Sequence, residues 1–232
     1  MAELVTYTLD GAVATITMDD GKANSLSPTM LAALNSALDR AAADNAVVVL
    51  TGREGRFSAG FDLGVLRAGG SEAHGMLMGG FRLCERLLSF PLPTVAACNG
   101  HAIAAGSFLL LSCDVRLGAA GAFKIGANEV AIGLTMPYTA IELMRQRLNP
   151  RFFSRCALTA EILAPDDAVL AGFLDQTVPA AEVLVDALEL AIGFAKLDLK
   201  AHAASKQRVR ETTFAAVRKA IELDDSDLRS RF

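Results

Sequence analysis

Two short segments, far apart in the chain, have residue types suited to acyl chemistry. The first is Phe57-Ser58-Ala59-Gly60-Phe61-Asp62-Leu63, and the second is Asn99-Gly100-His101-Ala102-Ile103-Ala104-Ala105-Gly106. Each joins an apolar stretch to a run of very small residues. Small side chains let a ligand come close to the main chain. Amides at a helix N-terminus point outward with partial positive charge. Two such amides converging on one point would stabilise an oxyanion, the largest single contribution in many acyl-group reactions. The pair, rather than either segment alone, makes the chain read as an enzyme.

The elements that must position these segments follow from periodicity. Residues 4–9 and 12–18 alternate like two strands joined by the turn Asp10-Gly11. Ser27-Pro28 is a helix start, a hydroxyl cap followed by proline at the first helical position. Met30, Leu31, Leu34 and Leu38 then recur at helical spacing. Residues 47–50 form a β-branched run suited to a buried parallel strand, and a polar loop over 51–56 leads to the first segment. Gly69-Gly70-Ser71 and Gly79-Gly80 bracket a glycine-rich stretch expected to be mobile, with a helix over 81–88. An apolar strand over 93–98 runs into the second segment, and 107–111 is apolar enough to be a buried helix. Strands are expected at 115–117, 123–125 and 173–178. Helices are expected at 137–148, 152–159, 165 onward, 180–197 and 201–223. Strands alternating with helices indicate an α/β protein. The expected organisation is a core over 1–178 and a helical C-terminal subdomain over 179–232, whose helices leave the main layers.

Composition narrows the class. The 232 residues are 52% apolar, enough for a large core, and the net charge of −4 argues against a nucleic-acid surface. The one basic stretch, 206–210, reads as a solvated helix face. The four cysteines and three histidines show no metal or disulfide spacing, so no metal site is expected. No apolar run reaches the ~18–20 residues needed to cross a bilayer. The N-terminus Met1-Ala2-Glu3-Leu4 lacks a signal-peptide charge pattern. A soluble, cytoplasmic protein without membrane contact is the expectation.

The constellation resembles the crotonase (enoyl-CoA hydratase/isomerase) superfamily. Both segments look like that family's oxyanion segments, with Cys113-Asp114 at the usual distance beyond the second. Ile125-Gly126-Ala127-Asn128-Glu129-Val130-Ala131-Ile132-Gly133 looks like its catalytic-glutamate stretch. The resemblance implies a ββα superhelix core and an acyl-CoA thioester as substrate, with no bound cofactor. It further implies a homotrimer or hexamer, although this chain looks shorter at its C-terminus than the typical member. The amides of Phe61 and Ala105 would hold the thioester oxygen. Ala105 stands where the family usually has glycine, and its N–H remains available if its φ is negative. Lys22, Ala23, Ser58, Ala59, Gly60, Asp62, Leu63, Ala104 and Phe108 would contribute to binding the substrate and its CoA.

Carboxylates then decide the reaction. Hydratases of the family use two glutamates; here one position is Glu129 and the other is occupied by Phe108. Glu129 alone reads as a surface or helix-start acid, but its flanks make it the catalytic candidate. Activating water and delivering a proton favours two acid/base groups, whereas a double-bond shift needs one. The stretch is similar to that of mitochondrial-type Δ3,Δ2-enoyl-CoA isomerases, which keep only this glutamate. An isomerase is therefore the leading reading. The alternatives are a hydratase or acyl-CoA hydrolase with an acid from elsewhere, and a catalytically silent acyl-CoA-binding protein. Taken singly, Asp62 reads as a turn or cap residue and His101 as structural.

Overall fold

In the computed structural model the described residues are 3–231, with side chains described to residue 229; Met1 and Ala2 lie outside them. β1 (Val5–Asp10) and β2 (Val13–Met18) form an antiparallel hairpin in which Val5 faces Met18 and Asp10 faces Val13. β3 (Ser25–Leu26) precedes α1 (Pro28–Ala43), where Ser27 Oγ accepts the Met30 N–H at 3.2 Å. β4 (Val47–Gly52) is buried throughout, as a central parallel strand must be. Its even and odd residues face different cores: Val48 and Leu50 one way, Val47 and Val49 the other.

Three strand–strand–helix turns follow. β5 (Gly55–Ser58) and β6 (Gly60–Phe61) lead to α2 (Leu63–Ala68) and α3 (Gly70–Leu88). β7 (Thr94–Cys98) and β8 (Gly100–Ile103) lead to α4 (Ala105–Ser112). β9 (Val115–Ala119) and β10 (Ile125–Gly126) lead through a 3-10 turn, Val130–Ile132, to α5 (Tyr138–Arg145). After α6 (Pro150–Thr159) and α7 (Pro165–Ala171), β11 (Gln176–Val178) closes the main sheet. That sheet runs β1-β2-β4-β7-β9-β11, parallel except for β1; a second sheet runs β10-β8-β5, and β3 pairs with β6. These repeated strand–strand–helix turns are the ββα superhelix that the resemblance implies.

Three expectations are corrected. The polar loop after β4 shrinks to Arg53-Glu54, because strand structure runs to Gly52 and resumes at Gly55. The stretch from Gly69 to Gly80 is helical from Gly70, not a loose segment. One of its glycines serves packing: a Cβ on Gly80 would lie 2.3 Å from the Phe61 ring. The helix expected over 201–223 breaks at Arg210 into α9 (Leu199–Val209) and α10 (Glu211–Arg231).

The last helices pack on the same chain. α8 (Val183–Phe194) covers the second face of the main sheet with Val183, Ala187 and Ala191, all buried at helical spacing. The basic stretch is not simply solvated, since Lys206 is 6% exposed. Its Nζ donates to Phe90 O, Leu92 O and Asp114 Oδ2 at 2.7, 2.9 and 2.7 Å. Arg210 reaches Leu88 O and Asp114 Oδ1, so one carboxylate ties α9 to the N-terminal ends of β7 and β9. α10 lies on α3 and α5, burying Phe214, Val217, Ala220 and Asp224 along one face. No described helix is long and apolar enough to cross a membrane.

Candidate active site

The first segment is held by a turn that precedes it in sequence. Asp20 collects the backbone N–H groups of Lys22, Asn24 and Ser25 at 2.7–2.9 Å. Burial pushes its carboxyl upward, but these three bonds and Arg53 outweigh it and hold the pKa below the usual value. Asn24, wholly buried at φ +53°, sits in the left-handed region that asparagine tolerates. Its Nδ2 lies 2.9, 3.0 and 3.2 Å from the carbonyls of Met18, Arg56 and Phe57. Its own carbonyl accepts Ser58 Oγ at 2.7 Å, and Ala59 N–H donates to Ala23 O at 3.0 Å. Ala23 and Asn24 are thereby stitched to Ala59 and Ser58, while Lys22 is held by Asp20 and, through its carbonyl, by Arg53. Asp62 caps α2, its Oδ1 accepting from Gly64 and Val65, and Leu63 is 49% exposed beside it.

The second segment lies against the first. A Cβ on Gly60 (φ +90°) would stand 2.8 Å from Ala104 Cβ and 3.1 Å from the Ala105 nitrogen. A Cβ on Gly106 would stand 2.3 Å from the Ser58 carbonyl oxygen. Only glycine permits this approach at both positions. Ala105 begins α4, so its N–H has no intrahelical acceptor. The positive φ falls at Ala104 (φ +51°, ψ −129°), not at Ala105, so the Ala105 N–H sits on ordinary helical backbone. Ala104 carries the strain, worth about 1–3 kcal/mol for a non-glycine residue. Ala104→Gly is expected to raise the unfolding free energy by about 1 kcal/mol in a urea titration. A loss of stability would mean that the Ala104 methyl packs for more than its backbone costs.

Glu129 follows a strand paired directly with the second segment. Ile125 and Gly126 align with Ala102 and Ile103, and Ala104 N–H donates to Gly126 O at 2.9 Å. The 3-10 turn closes beneath Glu129, whose carbonyl accepts from Ile132 and Leu134 at 3.1 and 2.9 Å. Its side chain is 6% exposed, and Oε2 is buried with no hydrogen-bond partner among the described residues. Burial pushes the carboxyl from 4.5 to about 7; only its own backbone N–H opposes, and no charged neighbour contributes. A carboxylate so placed is a base matched to neutral pH.

A fold of strand–strand–helix turns, two glycine-tight segments in contact and a lone buried glutamate can be compared with known proteins. The family model of enoyl-CoA hydratase/isomerase matches residues 8–232. The chain belongs to that family. A family protein from Pseudomonas syringae is 44% identical, with a TM-score of 0.95 over 97% of this chain and 98% of that one. An enoyl-CoA isomerase from Mycobacterium tuberculosis is 44% identical, with a TM-score of 0.93 over the whole of both chains. A putative enoyl-CoA hydratase from Thermus thermophilus is 35% identical over 193 residues, 80% of this chain and 76% of that protein.

Within this member of the enoyl-CoA hydratase/isomerase family, most sequence-marked positions converge. Lys22 and Ala23, the run from Ser58 to Leu63, Ala104, Ala105 and the strand before Glu129 are linked by the contacts above. Phe108 is set apart: at 1% exposure it belongs to the main core, on a helix buried all round. It can back the site but offers almost no surface to a ligand. His101 is structural as expected, its Nδ1 accepting the Lys124 N–H at 3.0 Å. Sequence reasoning missed Asp20 and Asn24. Their signal was the Asp-x-x-x-Asn spacing around Gly21, a side-chain-closed turn just ahead of β3. It also missed Asp224, which no local pattern marks.

Proposed function

We propose that the chain is an enoyl-CoA isomerase that shifts a double bond with Glu129 as its single proton carrier. The observation that carries this reading is the isolation of Glu129, buried and unpartnered at Oε2 with no second carboxylate contributing to its titration. The M. tuberculosis relative is named an isomerase in one solved structure and a probable hydratase in another, so the reading rests on the site. In the proposed reaction the amides of Phe61 and Ala105 hold the thioester oxygen of a 3-enoyl-CoA. Glu129 takes a proton from C2, and the freed pair forms a dienolate whose charge rests on that oxygen. The same proton returns from the carboxylic acid to C4, leaving the double bond between C2 and C3. No water is consumed, and the apolar Phe108 behind the site suits its exclusion. The loops at Lys22–Ala23 and Ser58–Leu63 would take the CoA portion.

Product analysis separates this reading from hydration. With cis-3-enoyl-CoA the expected product is trans-2-enoyl-CoA, and with crotonyl-CoA no 3-hydroxyacyl-CoA is expected. Rapid water addition to crotonyl-CoA would replace the isomerase assignment with a hydratase.

A further inference from the structure

Asp224 is a carboxylate in an apolar stripe. It continues the buried face of α10 set by Phe214, Val217 and Ala220 and is itself 3% exposed. Burying it costs free energy unless its oxygens are satisfied. Both are: Oδ1 accepts the Tyr138 N–H and Oδ2 the Thr139 N–H, each at 2.8 Å. These are the first two amides of α5. The residue at that helix's own cap position is Pro137, which supplies no side-chain cap. The cap comes instead from a helix 86 residues further along the chain.

The capped end matters because of what precedes it. Residues 130–135 are exposed, among them Val130 at 42%, Ile132 at 50% and Leu134 at 43%. This segment folds back on Glu129, whose carbonyl accepts the Ile132 and Leu134 N–H groups at 3.1 and 2.9 Å, so where it lies sets where Glu129 lies. It is anchored upstream by the β10–β8 pairing and downstream by the start of α5. We propose that Asp224 is a positioning residue: by capping α5 it holds the 130–137 segment in place and so fixes the burial of Glu129. The inference deepens the isomerase reading and rests on it for its catalytic meaning, though not for its geometry.

The surroundings leave few competing electrostatic causes. No charged group contributes to the Glu129 carboxyl, although α6 packs on its turn, where Arg155 is engaged by Glu161. Near Asp224, burial raises the carboxyl, the Tyr138 and Thr139 bonds lower it, and Asp227 on the same helix raises it further. Toward α3, Asp225 pairs with His74 at 2.9 Å and Arg218 with Glu85 at 2.9 Å. On α5, Glu142 pairs with Arg145 at 3.2 Å.

The test follows the Glu129 carboxyl directly by carbon-13 NMR titration, its signal assigned by loss in Glu129→Gln. In Asp224→Asn, which keeps the shape and one acceptor oxygen, the Glu129 pKa is expected to fall by at least one pH unit. The acid limb of kcat/KM should move down with it. Asp224→Ala should show the larger shift if it folds; if it does not, Asp224→Asn carries the test. Asp225→Ala loosens the same helix at the His74 pair and is expected to leave the Glu129 titration unchanged. An unmoved Glu129 titration in a folded Asp224→Asn overturns the proposal, as does an equal shift in Asp225→Ala. A shifted titration with an unmoved rate profile upholds the positioning of Glu129 and sinks its assignment as the base.

Discussion

Glu129→Gln is expected to lower kcat by about 10²–10⁴-fold while leaving the Kd for CoA thioesters near that of the wild type, and to stabilise the fold. The first effect follows from removing the only proton carrier in the proposed site. The gain in stability follows from burial. In the wild type the carboxyl ionises near pH 7 when folded but near 4.5 when unfolded. Between those values the folded state binds more protons, so stability falls as pH rises through the window. Above it, the buried charge costs about 3 kcal/mol at 1.36 kcal/mol per pKa unit. Glutamine is neutral and escapes that cost. The variant should therefore unfold at higher urea than the wild type at pH 8, and at similar urea near pH 4. A variant with full turnover, or one less stable at pH 8, contradicts the buried-base assignment. The same titration predicts that wild-type kcat/KM rises tenfold per pH unit below about 7 and then levels.

Asn24→Ala is expected to cost about 4 kcal/mol of folding free energy, roughly a thousandfold in the folding constant. The side-chain amide serves the carbonyls of Met18, Arg56 and Phe57, and its Oδ1 accepts the Asp20 N–H at 3.0 Å. Alanine removes all four bonds, two of them buried, and it is less suited to φ +53° than asparagine. Catalysis should suffer even where the fold survives, because Phe57 opens the first segment and Arg56 precedes it. Urea unfolding and the KM for the thioester measured on one preparation check both. A loss below 1 kcal/mol would show that water replaces the amide at no cost.

What could be read from the sequence was local or tied to a single period. The Ser27-Pro28 start needs only its own turn, and Val47–Val49 needs only burial on both faces. Contiguous runs of small residues also sufficed to mark the regions around Gly60 and Ala105. The misreadings involve partners distant in sequence. Gly79 and Gly80 suggested mobility because glycine weakens an isolated helix; the folded chain needs the missing side chain at 80 to seat Phe61. The break at Arg210 was hidden because the residues on either side are helical. Its side chain is spent on Leu88 and Asp114, over a hundred residues and ninety-six residues away. Asp224 went unmarked, since the amides it serves lie 86 and 85 residues earlier.

The short helix beginning at Ala105 has all eight residues buried. It has no outer side that could rest in solvent while the chain is still being made. Its shelter comes from α3 before it and α5 after it. A nascent chain must therefore extend past residue 145 before the Ala105 amide can be enclosed. The catalytic apparatus should consequently mature late in synthesis, with the most greasy segment awaiting its cover.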